Sequence, residues 1–278
     1  MAPLESVFVW VAIALYALAS GAAILSLVFR KGRIMNNLYR FAAVLFVLHT
    51  AAIAARYYAQ GYLPWAGEYE SALMGGWFVI LFTAYVTWTQ RGLQALAVGT
   101  FPFTLVLLGY GVMTKPVLGP MEASLKTFWL YVHVFFAWLA FGAFVLAMAA
   151  GIIYLLKKRD TTRAQRNPIY EKMPSLERLD DLIFRYILFG FMTDAVMIAS
   201  GAIWAKELWG NYWSWDPVEV WNLFAWLMYG IIIHLRVTFG WRGNRLAWLS
   251  VLAIVFMVMS FFGVNFAVES SYHIFNVR

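Results

Sequence analysis

The sequence predicts an all-α fold: a polytopic membrane helix bundle of about eight transmembrane helices, with both termini outside. Three observations carry that expectation. The 278 residues are 63% hydrophobic and 13% charged, with mean hydropathy +0.70, too little charge to cover the surface of a water-soluble domain this long. Apolar runs long enough to cross a bilayer recur near residues 7–29, 41–58, 72–89, 93–113, 127–156, 184–206, 217–238 and 246–268. Basic residues also collect in alternate connections, the pattern of a membrane protein with a defined orientation.

The elements follow in order. The first run lacks a basic segment before it and ends in Arg30-Lys31-Gly32-Arg33, which reads as a retained span with a cytoplasmic flank. The second follows Arg40 and holds His49 and Arg56; the third and fourth are separated by Arg91. The fifth is long enough to project beyond the bilayer. A polar basic connector, 157–183, comes next, with Asn167-Pro168 and Met173-Pro174 breaking it; it reads as a segment lying against anionic headgroups. The sixth helix is expected to begin at Ser175, before it enters lipid, and carries Asp194 midway. The seventh starts at Pro217 and the eighth closes the bundle.

Sixteen of the 21 basic residues fall on one side: Arg30, Lys31, Arg33, Arg40, Arg91, the eight between Lys157 and Arg185, and Arg236, Arg242 and Arg245. The other side has Arg56, Lys115, Lys126, Lys206 and Arg278. The basic side is therefore read as cytoplasmic. The net charge of +7 is a signal of topology and of anionic lipid, with no nucleic acid implied. Nothing marks a separate soluble domain, so residues 1–278 read as one integral membrane domain. With no cysteine, the chain has no disulfide, thiolate metal site or thiol nucleophile of its own.

The segment 207–222 is an outward loop that reads Trp209-Gly210-Asn211-Tyr212-Trp213-Ser214-Trp215-Asp216-Pro217-Val218-Glu219-Val220-Trp221 at its centre. Its second half is a helix start, with Asp216 as N-cap, Pro217 at the first helical position and Glu219 at the third. The acids are thereby structural, and no residue here is assigned acid–base catalysis. Trp10, Trp65, Trp88 and Trp241 suit an ordinary interfacial belt. Trp209, Trp213, Trp215 and Trp221 are too dense for that alone and suit an apolar platform for a flat macrocycle.

Four histidines remain. His133 near the start of span five and His273 beyond span eight both lie on the loop's side, as two axial ligands of one haem iron would. His234 sits about 26 Å along the seventh helix from Pro217, near the inner leaflet. His49 lies roughly 14 Å from the inner boundary, a different depth, which favours packing for His49 and a partner from another subunit for His234. Arg56, at the outer end of its span, is a candidate for a haem propionate, with snorkelling as its competitor. Asp194 calls for protonation or for a bond to Thr193 or a neighbouring helix, with a proton relay as the less favoured alternative.

WAKELWGNYWSWDPVEVWNLFAWLMYGIIIHLR resembles the tryptophan-rich WWD domain of the haem-handling superfamily, and specifically the CcsA (ResC) family. GYLPWAGEYESALM, HVFFAWLAFG and the terminal GVNFAVESSYH extend the likeness over most of the chain. The sequence departs from the family at Val218, where a basic residue is usual, and in its tail around His273. The resemblance implies a cytochrome c synthase subunit that moves haem to the outer face and ligates it to the CxxCH thiols of apocytochrome c. It implies His133 and His273 as outer ligands of haem b, and His234 in a second site within the membrane. It implies a CcsB/ResB-type companion subunit, thiol-reducing thioredoxin-like proteins, and a bacterial cytoplasmic membrane with the loop on the periplasmic face. The rival reading is a CcmC-like exporter that relays haem to a chaperone without ligation.

Overall fold

The computed structural model describes residues 2–65, 67–90, 92–114, 125–162 and 167–263. Among them, eight helical runs are long and apolar enough to cross a membrane. In order these are α1 (Pro3–Val28), α2 (Gly32–Gln60), α3 (Glu68–Thr89), α4 (Ala97–Met113, entered through a 3₁₀ turn at Leu93–Leu96), α5 (Phe128–Asp160), α7 (Leu176–Trp209), α8 (Pro217–Thr238) and α9 (Asn244–Val258). A single turn, α6 (Pro168–Glu171), interrupts the basic connector. In lipid the backbone must satisfy its own hydrogen bonds, which is why the apolar runs are helical throughout.

Several helices outrun their apolar stretches. α1 starts at Pro3, where the Glu5 carboxylate accepts from the backbone N–H of Ala2 at 3.0 Å. α2 begins at Gly32, nine residues before the expected span. α5 runs on to Asp160, with Lys157, Lys158 and Arg159 in its last turn, where cations complement the helix dipole. α7 begins at Leu176, capped by the Ser175 hydroxyl, which accepts from Arg178 N–H at 3.2 Å. α9 passes into a π-helical turn, Met259–Gly263; its expected extension to 268 lies outside the described residues.

α5 is the centre of the bundle. It packs along α7 for most of its length and also meets α3, α4 and α9. Between lipid-soluble helices little hydrophobic drive remains, so close van der Waals contact through small residues does the work. α5 is accordingly buried through Ala143, Ala147, Ala149, Ala150 and Gly151. A Cβ on Gly99 would meet the Ala149 Cβ at 2.9 Å, and one on Gly190 would meet the Phe144 ring.

Alternate connections define two ends. At the basic end, Arg236 does not reach out to headgroups; it is buried against Asp180 at 2.6 Å and Asp181 at 3.3 Å. Asp180 also accepts from Gly243 N–H at 2.6 Å, which ties α7 to α8 and α9. The opposite end carries the 210–216 loop.

Candidate functional site

The loop is built locally. α7 ends at Gly210, in the left-handed conformation at φ 82° that glycine adopts at low cost. α8 opens as the sequence predicts, with Asp216 Oδ1 accepting from Val218 N–H at 2.9 Å. Glu219 does more than close a capping box. Its Oε2 accepts from the N–H of Ser214 (2.9 Å), the Ser214 hydroxyl (3.1 Å) and the N–H of Asp216 (3.2 Å). Those bonds hold Trp215 at φ 59°, a left-handed conformation that costs a bulky residue about 1–3 kcal/mol. Glu219→Ala should therefore lower stability by about 1–2 kcal/mol and loosen the loop, read as a lower melting temperature and stronger quenching of tryptophan fluorescence.

Beneath this loop lies a cleft of about 180 Å³, open at its mouth. α5 contributes His133, Ala137 and Trp138; α7 contributes Met197, Gly201 and Ala205; Trp65, Trp213, Glu219, Asn222 and Ser260 complete much of the wall. A floor bond joins the Ser260 hydroxyl to Asn222 Oδ1 at 3.2 Å.

His133 is held in one orientation. Its Nδ1 is 2.9 Å from the Met197 carbonyl, and because a carbonyl only accepts, the ring proton sits on Nδ1 and the lone pair on Nε2. Gly201 makes the approach possible, since a Cβ there would stand 2.5 Å from Nδ1. Trp204, buried, lies over the imidazole at 6.1 Å and 32° and touches Trp209 at 5.5 Å.

The four loop tryptophans do not make a single platform. Trp213 lines the cleft and meets Trp215 edge-on at 5.8 Å, while the Trp215 ring is 72% exposed. Trp209 is the last residue of α7 and turns to Trp204. Trp221, a turn into α8, lies against Phe224 at 6.3 Å. The reversal at Gly210 and the helix start at Pro217 separate them. Trp65, assigned to the belt by sequence, instead lines the cleft and packs edge-on to Tyr131 at 5.5 Å. Trp138, Trp204, Met197 and Gly201 were missed. Trp138 lies within the segment HVFFAWLAFG and Trp204 opens the segment WAKELWGNYWSWDP, so both were findable; Met197 and Gly201 need the packing of α5 on α7.

The remaining candidates separate clearly. His49 is buried, donates from Nε2 to the Leu73 carbonyl at 2.9 Å and accepts at Nδ1 from the Tyr16 hydroxyl at 3.2 Å, a packing histidine with both nitrogens engaged. Arg56 neither snorkels nor reaches the cleft's lining. It is buried against Glu70 and Glu5, with Tyr69 donating to Glu5 Oε1 at 2.7 Å. A guanidinium facing two carboxylates has its charge already matched, which argues against a propionate role. Burial first, and then the Glu70 charge, raise the neighbouring Tyr62 phenol above its ordinary range, against Arg56. His234 is exposed on the outer face of α8, its Nδ1 3.3 Å from the Thr238 hydroxyl. Asp194 is buried and not bonded to Thr193. His273 lies outside the described residues.

An aromatic-walled cleft with one oriented imidazole, set among membrane helices, defines a class: an integral membrane protein that handles a large apolar ligand. Residues 65–271 match the family model described as cytochrome C assembly protein. The chain is 31% identical over 236 residues to the cytochrome c biogenesis protein CcsA of Guillardia theta, covering 78% of each chain. It is 30% identical to CcsA of Synechococcus sp. (strain CC9605), covering 80% of this chain and 81% of the relative. A solved structure of the cytochrome c heme lyase CcmF superposes with a TM-score of 0.71 at 19% identity, over 93% of this chain but 46% of that one; it shares the fold. The chain belongs to the cytochrome c assembly protein family and, within it, to the CcsA proteins. Its role is in cytochrome c biogenesis.

Proposed function

We propose that this chain holds haem b at His133 and ligates it to the CxxCH thiols of apocytochrome c. The observation that carries the reading is the His133 imidazole, fixed by the Met197 carbonyl with its lone pair on Nε2, in a cleft roofed by the tryptophan loop. A histidine ligand oriented through its other nitrogen is the usual arrangement for iron. The cleft's aromatic walls suit a porphyrin face, and Glu219 is already engaged in bracing the loop, so the lining presents little charge to repel an apolar macrocycle.

In the reaction each apocytochrome thiol adds across a haem vinyl group: a C–S bond forms, the C=C bond becomes single, and the thiol hydrogen goes to the adjoining carbon. The chain's share is to orient haem, exclude competing reactions and hold the vinyl edge toward the peptide. His273 supplies the second axial ligand. The exposed His234, on an apolar helix face, ligates a second haem together with a histidine from a CcsB/ResB-type companion, and haem passes from there to the outer site. The basic end faces the cytoplasm, both termini face outward, and the membrane is the bacterial cytoplasmic membrane. Thioredoxin-like proteins keep the apocytochrome thiols reduced.

The test is haem transfer in vitro. The chain, purified with its companion under reducing conditions, is given haem and a CxxCH peptide. Covalent haem-peptide that survives acidic organic extraction is the expected product. Haem that moves to a soluble acceptor with the peptide left unmodified would establish a relay instead, and a preparation with no Soret band would remove haem from the account.

A further inference from the structure

The haem reading leaves one buried carboxyl without a task. Asp194 is fully buried in α7, and neither carboxyl oxygen has a hydrogen-bond partner among the described residues. Thr193 is occupied elsewhere, donating to the carbonyls of Phe189 (2.9 Å) and Gly190 (3.0 Å). A group of this kind is expensive in a membrane protein and calls for a reason.

Its surroundings narrow the reason. From α8, Tyr229 is fully buried, its hydroxyl has no partner among the described residues, and the Phe144 ring it meets also packs on Gly190, one turn before Asp194 in α7. The Tyr229 ring stacks on Phe144 of α5 at 3.5 Å and 9°, so its position is fixed. α5 brings His133, bonded to the carbonyl of Met197, three residues beyond Asp194. The π-helical turn after α9 brings Ser260 onto Asn222 of α8, and α3 brings Phe82 against Phe189. Among the described residues, no ion pair includes Asp194.

Depth places the pair between the two histidines proposed to hold haem. Asp194 precedes Met197 by three residues, about 4.5 Å along the axis, and Tyr229 precedes His234 by five, about 7.5 Å. Without a compensating charge nearby, a carboxyl so enclosed keeps its proton. A cationic ferric haem at His133 supplies that charge, and reduction removes it.

We propose that Asp194, with Tyr229 beside it, is a proton-binding site coupled to the oxidation state of haem held at His133. One electron from an external one-electron donor converts ferric to ferrous iron while the Asp194 carboxylate takes up one proton. A one-electron acceptor reoxidises the iron as the proton leaves Asp194, and the Tyr229 hydroxyl donates to the carboxylate while it is ionised. This rests on the haem reading above.

Spectroelectrochemical titration of the haem-loaded complex from about pH 6 to about pH 9 tests it. The wild-type midpoint should fall by up to about 59 mV per tenfold drop in proton activity, the one-electron, one-proton limit, and Asp194→Asn should flatten that slope while keeping its Soret band. The reduced-minus-oxidised infrared spectrum should show gain of a protonated carboxyl C=O stretch that D194N lacks and Tyr229→Phe shifts. A flat wild-type midpoint, or a D194N slope equal to wild type, overturns the proposal. If D194N fails to fold, the wild-type infrared difference decides: no carboxyl signal sinks it. If no haem binds, the haem reading has failed instead, and the carboxyl stretch of the haem-free protein still reports whether Asp194 holds a proton.

Discussion

His133→Ala should abolish cytochrome c maturation, lowering it by more than about 100-fold, and should strip most haem from the outer site. Two features separate loss of a ligand from loss of the fold. His133 is only part-buried and bonds the Met197 carbonyl, so truncation leaves that acceptor to be met by water, at a cost of about 1–3 kcal/mol. Added imidazole should also occupy the vacated space and restore part of the activity, which it cannot do for an unfolded protein. Gly201→Val gives an independent arm. Its side chain starts 2.5 Å from Nδ1, so the imidazole must turn off the Met197 carbonyl even though the ligand is still present. Losses of about 10- to 100-fold are the scale for disturbing the group that orients a metal ligand. Both are read from covalent haem on the cytochrome and the Soret band of the purified chain. Normal maturation in His133→Ala would remove that imidazole from the ligand set.

Much of the fold could be read from the sequence, and the parts that could not share a physical cause. α8 runs from Pro217 to Thr238, as the sequence predicts, because its start is set by Asp216, Pro217 and Glu219, neighbours in the chain. α1 and α2 extend past their apolar runs because hydropathy marks the lipid core, whereas caps and polar faces set where a helix ends; the early start of α7 was legible because Ser175 caps it locally. The candidate site was half visible. His133 stands out as one of only four histidines, and Trp213 as part of a dense tryptophan cluster. That Trp65 turns inward, or that Gly201 lets His133 reach Met197, depends on how α5 meets α7 and on Trp65 packing against Tyr131. The loop tryptophans mislead by proximity: closeness in sequence across a reversal at Gly210 places their rings in different surroundings.

The second large effect is expected far from His133 in sequence, at Arg56. A polar residue at the outer end of a span invites a ligand-binding or snorkelling role; the partners that decide otherwise lie 51 and 14 residues away. Arg56 is 1% exposed, Glu5 0% and Glu70 7%, and the guanidinium also rests over the Tyr69 ring at 5.1 Å. Removing one member of such a buried group leaves its partners charged and unmatched, a cost of about 3–5 kcal/mol. Arg56→Met should therefore lower the melting temperature sharply in detergent. Glu5→Gln/Arg56→Met/Glu70→Gln should recover most of the loss, because a neutral set has no charge left to strand. The same change should reach the cleft. Glu70 adjoins Ser71, which lines it, and lies in the first turn of α3, just past the segment carrying Trp65. Haem loading should fall in Arg56→Met and return in the triple variant. A propionate-binding arginine predicts the opposite for the triple variant, stable but still deficient in haem, so the two roles are told apart by one comparison of melting curve and Soret absorbance.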